Sequence, residues 1–67
     1  MPRYYFVVHA PDHRHDDPNG MLLWSHEAAR AHGYRIVREL KDGGYDPTGA
    51  TLLVLDEEGE TVHCIPF

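Results

Sequence analysis

The sequence has 67 residues, and its six basic and eleven acidic side chains give a net charge of −5 with histidine neutral. A chain of this length predicts one domain over residues 1–67 and is too short for a dinucleotide-binding fold or a kinase. The acidic balance also argues against a protein that coats nucleic acid.

The N-terminal part of the chain predicts a long strand, a polar loop and a short strand. Residues 3–9 are mostly β-branched or aromatic, which is typical of a strand. Residues 12–19 contain no apolar side chain and predict a loop. After the Asn19-Gly20 turn, residues 21–24 predict a second, short strand.

The middle of the chain predicts one helix over residues 26–41, which begins after Ser25 and ends at Gly43. A serine side chain can accept a hydrogen bond from a free N–H of the first turn. Glycine is common where helices end. The apolar residues repeat at helical spacing and form one stripe: Ala29, Gly33, Ile36, Val37 and Leu40. Close approach to a sheet would account for Gly33, which costs about 1 kcal/mol of helix propensity.

The C-terminal part predicts a β-hairpin after a loop at 43–50 that is rich in glycine and proline. Residues 51–55 and 61–65 predict two strands, and Gly59 supplies a positive φ in the turn between them. The expected fold class is therefore α+β. We expect a small, mostly antiparallel sheet of three to four strands in the order β-(β)-α-β-β, with one helix packed on one face.

The predicted strands at residues 3–9 and 51–55 are apolar on both faces. One helix, however, can cover only one face of a sheet. Four side chains are the candidate interface residues: Tyr5, Val7, Leu52 and Val54. A contiguous apolar patch is typical of an interface, so we expect a homodimer or another protein partner on the second face. The alternative is that the loops at 12–19 and 43–50 fold over that face.

Three segments together resemble a family of short bacterial proteins of unknown function. Residues 1–6 read Met-Pro-Arg-Tyr-Tyr-Phe, close to the Met-Pro-Arg-Tyr-Phe-Phe start of that family. Residues 17–30 read Asp-x-x-Gly-x-x-Leu-x-Ser-x-Glu-Ala-Ala-Arg, where family members carry Asp or Ser at the ninth position. The turn at 56–59 is the third segment. The resemblance implies a small α+β domain and brings no activity with it.

A histidine-rich segment outside those motifs predicts a transition-metal site. Four residues are the candidate ligands: His9, His13, His15 and Asp17. Imidazole and carboxylate groups suit Zn or Ni, and in an extended segment His13 and His15 project to the same side. The alternative is a solvated acidic loop. We expect no other cofactor.

The sequence contains no set of residues that predicts catalysis. His63 and Cys64 pair a base with a thiol, but neighbours in a strand point to opposite faces. We therefore expect that the protein is not an enzyme. A single cysteine, together with no apolar run long enough for a membrane helix or a signal peptide, predicts a cytoplasmic protein without a membrane partner.

The helix also carries a basic face that could contact nucleic acid: Arg30, Tyr34, Arg38 and Lys41. The rest of the chain is acidic and would repel nucleic acid outside a narrow contact, so a solvated helix face is the simpler interpretation. We expect a non-enzymatic interaction or regulatory module. The alternatives are a metal-binding protein, a nucleic-acid contact through this helix, and a small acidic inhibitor.

Overall fold

The computed structural model describes all 67 residues and confirms the α+β fold, with one helix packed on one face of an antiparallel sheet. Its sheet has the order β2-β1-β4-β5, and β3 pairs with β1 as well. The elements, in chain order, are β1 (Arg3–Ala10), β2 (His13–His15), β3 (Met21–Leu22), α1 (His26–Asp42), β4 (Thr51–Leu55) and β5 (Thr61–Pro66).

The predicted loop at 12–19 is the main point where the structure differs from the sequence prediction. His13–His15 form β2, which pairs antiparallel with β1 from the Ala10–His13 pair to the Val8–His15 pair. All three residues of β2 are exposed, so this edge strand needs no apolar residue and leaves no periodic signal in the sequence. The predicted strand at 21–24 is shorter than expected, because only Met21–Leu22 pair with β1.

The helix begins and ends close to the predicted residues. Ser25 is the N-cap, and its hydroxyl accepts a hydrogen bond from the Ala28 N–H at 3.1 Å. Gly43 is the C-cap, but Gly44 adopts the positive φ of 94°. The Tyr45 N–H then donates to the Leu40 carbonyl at 2.8 Å, which closes the last turn. The helix is not long and apolar enough to span a membrane.

The hydrophobic core lies between α1 and the sheet, and the predicted helical stripe lines it. Eight buried residues form the core cluster: Tyr4, Phe6, Val8, Ala29, Val37, Leu52, Val54 and Ile65. Gly33 is also buried and faces β4 and β5. A Cβ at this position would lie 2.8 Å from Ile65 Cδ1 and 3.3 Å from Val54 Cγ2, so close packing on the sheet does account for the glycine.

We expect Gly33→Ala to lower the free energy of unfolding by about 1 kcal/mol, since overpacking outweighs the gain in helix propensity. Ile65→Val removes the colliding Cδ1 and should itself cost about 1 kcal/mol. In the double variant the new methyl group occupies the vacated space. Urea denaturation should therefore give a double variant that is less destabilised than the sum of the two single variants. Strict additivity would contradict this packing.

The four predicted interface residues do not share a face, so the prediction is wrong for two of them. Phe6 pairs with Val54 and Val8 with Leu52, and these side chains all point to the helix. Leu52 and Val54 are fully buried there and cannot contact a partner. The register instead places Tyr5 opposite Leu55 and Val7 opposite Leu53.

We call the surface formed by Tyr5, Val7, Leu53 and Leu55 the open face. Successive side chains of a strand alternate between the two faces, so these four residues point away from α1. Tyr5, Leu53 and Leu55 are half-buried, and Val7 is only 3% exposed. The turn at residues 17–20 lies against the Tyr5 end of this face, where Gly20 packs on the Tyr5 ring. No helix covers the open face.

Candidate functional site

The carboxylate of Asp17 connects the segment between β2 and β3 to the edge of β1. Its Oδ2 accepts a hydrogen bond from the Phe6 N–H at 3.1 Å. Its Oδ1 accepts from the N–H groups of Gly20 at 3.0 Å and Asn19 at 3.3 Å. The Phe6 N–H lies between the stretch of β1 that pairs with β2 and the stretch that pairs with β3. Asp17 therefore takes the place of a missing strand partner there.

The backbone at position 20, three residues after Asp17, requires a glycine. Its φ is +67°, a conformation that costs a residue with a side chain about 1–2 kcal/mol. A Cβ at this position would also lie 2.7 Å from the Tyr4 carbonyl oxygen and 2.9 Å from the Tyr5 ring. The Asp-x-x-Gly pattern thus has a structural explanation in the contact between this turn and β1.

The four predicted metal ligands are not brought together. His13 and His15 lie on one side of β2, with ring centroids 5.0 Å apart, as the sequence predicted. His9 pairs with Arg14 in the register, so its side chain points to the other face of the sheet. The Asp17 carboxylate already accepts hydrogen bonds from three backbone N–H groups. No group of three or more His, Cys, Asp or Glu side chains is placed to hold a metal ion.

A chain of hydrogen bonds that the sequence did not predict runs from Asp12 through His13 to Tyr45. The Asp12 carboxylate contacts His13 Nδ1 at 2.7 Å, and His13 Nε2 contacts the Tyr45 hydroxyl at 2.9 Å. The hydrogen bond from His13 lowers the pKa of Asp12 below its ordinary value, with help from a backbone hydrogen bond and the charge of His13. Asp12 thus stays ionised at neutral pH and orients the imidazole.

No local pattern in the sequence could have revealed this chain. Tyr45 belongs to the loop after α1 and lies 32 residues from His13. The two side chains meet because β2 folds back on β1 and because the end of α1 turns Tyr45 toward the same edge.

The predicted basic face of α1 is exposed along its length. Arg30, Arg38 and Lys41 are all exposed, and Tyr34 is 47% exposed. The Arg30 guanidinium lies 5.2 Å from the centre of the Tyr34 ring, and its Nε donates to Nε2 of His63 at 3.2 Å. One of the three cations is therefore already engaged with neighbours in β5 and α1.

His63 and Cys64 point to opposite faces of β5, as the sequence predicted. His63 pairs with Val54 and lies on the helix side, whereas Cys64 pairs with Leu53 on the side of the open face. Cys64 is an exposed free thiol. The pair therefore does not form a nucleophile and its base.

Together these features define a small α+β domain in which the helix covers one face of the sheet and no helix covers the other. The chain belongs to the family of the domain of unknown function DUF6894, whose family model matches residues 3–67. No curated protein and no solved structure matches the chain significantly. Membership in this family confirms the predicted resemblance to a family of unknown function. That the three sequence motifs are typical of the family stays a prediction.

Proposed function

We propose that this protein is a non-enzymatic interaction module that forms a homodimer through its open face. The proposal depends on one observation. Tyr5 and Val7 in β1 lie opposite Leu55 and Leu53 in β4, which makes an apolar surface across the two central strands. The helix packs on the other side of the sheet. An apolar surface in the middle of a sheet is typical of a protein interface.

A second copy of the chain suits this surface in size and chemistry. The molecule measures 32 × 21 × 18 Å, so a face along its two longer axes covers roughly 700 Å². Each partner of a standard interface buries about 800 Å². Two sheets stack about 10 Å apart with interdigitating side chains, so a homodimer would give each sheet the second layer that a single helix cannot provide.

The free thiol of Cys64 supports a cytoplasmic location for this module, since exposed thiols persist in reducing compartments. Cys64 also gives a local probe of the proposed interface, because it lies next to Leu53 on the same side of the sheet. In a dimer through the open face, this thiol would be shielded from water.

The experiment is sedimentation equilibrium of the full chain across a concentration series. We expect the wild type to reach twice the monomer mass of 7.7 kDa. Leu53→Lys should sediment as a monomer, because it places a charge in the apolar centre of the interface. Tyr34→Lys is the matched control, since it makes the same charge change at an exposed position of α1 and should leave the dimer intact.

Reaction of Cys64 with a thiol reagent gives a second measurement. We expect the reaction of the wild type to slow as protein concentration rises, whereas that of Leu53→Lys stays constant. A wild type that remains monomeric at the highest concentration would overturn the proposal. A Leu53→Lys variant that is folded by circular dichroism and still dimeric would place the interface elsewhere, and would overturn it too.

A further inference from the structure

Most of the large apolar side chains that the protein exposes come from two segments that run side by side at one end of the sheet. β3 pairs with the start of β1, and the Leu23 N–H donates to the Pro2 carbonyl at 3.0 Å. Trp24 is 79% exposed, so roughly 150 Å² of its side chain is left in water. Four of the five exposed large hydrophobic residues belong to these segments: Met1, Met21, Leu22 and Trp24.

The register of β3 places Leu22 on the side of the open face. Leu22 lies opposite Arg3, and alternation along β1 puts Arg3 on the same side of the sheet as Tyr5. Leu23, the next residue, packs instead against the core on the helix side. Trp24 comes two residues after Leu22 and before the helix begins, so its side chain returns to the side of Leu22. The apolar surface of the open face therefore continues onto these two residues.

We infer that Trp24 is an anchor residue of the homodimer proposed above, in which it packs on the partner's open face. This inference rests on the proposed dimer and assigns a residue to it that lies outside the two central strands. Trp is among the residues most enriched at the energetic centres of protein interfaces. An exposed tryptophan next to an apolar sheet face has the composition and the position of such a residue.

The area that a stable dimer needs supports this role for Trp24. Each partner of a standard interface buries about 800 Å². The four residues of the open face are buried or half-buried within their own chain, so they supply only part of that area. Leu22 and Trp24 are far more exposed and extend the same surface. In a two-fold dimer each copy contributes this surface to the other, so two Trp24 side chains are buried at once.

The test uses Trp24 as its own probe, because it is the only tryptophan of the chain. Its fluorescence is measured on the full chain over the concentration series used for sedimentation. We expect the emission maximum to move to shorter wavelength, and quenching by iodide to weaken, at the concentrations where the mass doubles. Leu53→Lys should keep the emission of a water-exposed indole at every concentration.

A variant without the indole ring measures how much Trp24 contributes to the dimer. By sedimentation equilibrium, Trp24→Ala should raise the dimer Kd by about 30-fold or more. The matched control is Tyr34→Ala, which removes another exposed aromatic side chain from α1 and should leave this Kd unchanged. Urea denaturation of dilute, monomeric Trp24→Ala should match the wild type, since an exposed side chain contributes little to the fold.

The outcomes separate the role of Trp24 from the existence of the dimer. A wild type that dimerises with unchanged Trp24 emission would overturn the inference and leave the proposed dimer standing. The same holds for a Trp24→Ala variant that dimerises as tightly as the wild type. A wild type that stays monomeric at every concentration would overturn both the dimer and this role.

Discussion

Gly20→Ala should lower the free energy of unfolding by about 3 kcal/mol or more, the largest effect that we expect from a single methyl group in this protein. Part of the cost is the positive φ of 67° at this position. The larger part is the collision of the new Cβ with the Tyr4 carbonyl oxygen at 2.7 Å, because a backbone atom in the middle of a sheet cannot move aside. For a domain of this size, such a loss is a large share of a total stability of roughly 3–10 kcal/mol.

Gly59→Ala is the matched control. Its φ of 82° is similar, but no atom lies within 4 Å of the Cβ that would be added. It should therefore cost only about 1 kcal/mol, the strain of the left-handed conformation. Asparagine tolerates positive φ, so Gly59→Asn should be milder still, whereas Gly20→Asn should remain as damaging as Gly20→Ala. Equal losses in urea denaturation for Gly20→Ala and Gly59→Ala would show that close packing against β1 is unimportant.

The sequence was sufficient to predict the elements that have a strong periodic or capping signal. The helix has both, with Ser25 as its N-cap and an apolar stripe that includes the buried Gly33. The hairpin of β4 and β5 also follows the prediction, with Gly59 at positive φ in its turn. In each case the local pattern and the tertiary contacts favour the same structure, so local reasoning gave the right result.

The sequence was insufficient where an element depends on pairing with a distant segment. Nothing in the residues of β2 is typical of a strand, and it forms only because β1 offers it an edge. The prediction of the interface residues was wrong for Leu52 and Val54 for a related reason. Because side chains alternate along a strand, Leu52 and Val54 of β4 share one face and Leu53 and Leu55 share the other. Which face belongs to the core depends on the pairing with β1 and on the side of the sheet where α1 packs.

Asp17→Ala is expected to have the second largest effect, a loss of about 2–3 kcal/mol in the free energy of unfolding. The variant leaves three backbone N–H groups without their carboxylate, but the exposed Asn19 N–H and in part the Gly20 N–H can bond to water instead. The expected loss is therefore close to that of one hydrogen bond to a charged group, about 1.5–3 kcal/mol. Loss of the hydrogen bond from the Phe6 N–H should cost the most stability of the three, because Phe6 is buried in the middle of β1. Asp17→Asn should lose about half as much, since its amide oxygen can still accept at one of the two positions.

The neighbouring Asp16 is the matched control, because it differs from Asp17 in its partners and not in its residue type. It accepts a hydrogen bond from Arg14 at an exposed position, where such a pair is worth about 0–1 kcal/mol. Asp16→Ala should therefore be close to the wild type in urea denaturation. Equal losses for the two variants would contradict the assignment of Asp17 as the residue that fastens this turn.

The same pair of variants separates a structural role for Asp17 from the predicted role as a metal ligand. If Asp17 acts by accepting from the backbone, its replacement lowers stability in the presence of a strong chelator as much as without one. If it acts by holding Zn or Ni, the loss appears only when the metal is added, because a bound metal stabilises the folded state by mass action. The three N–H groups that converge on this carboxylate favour the first result.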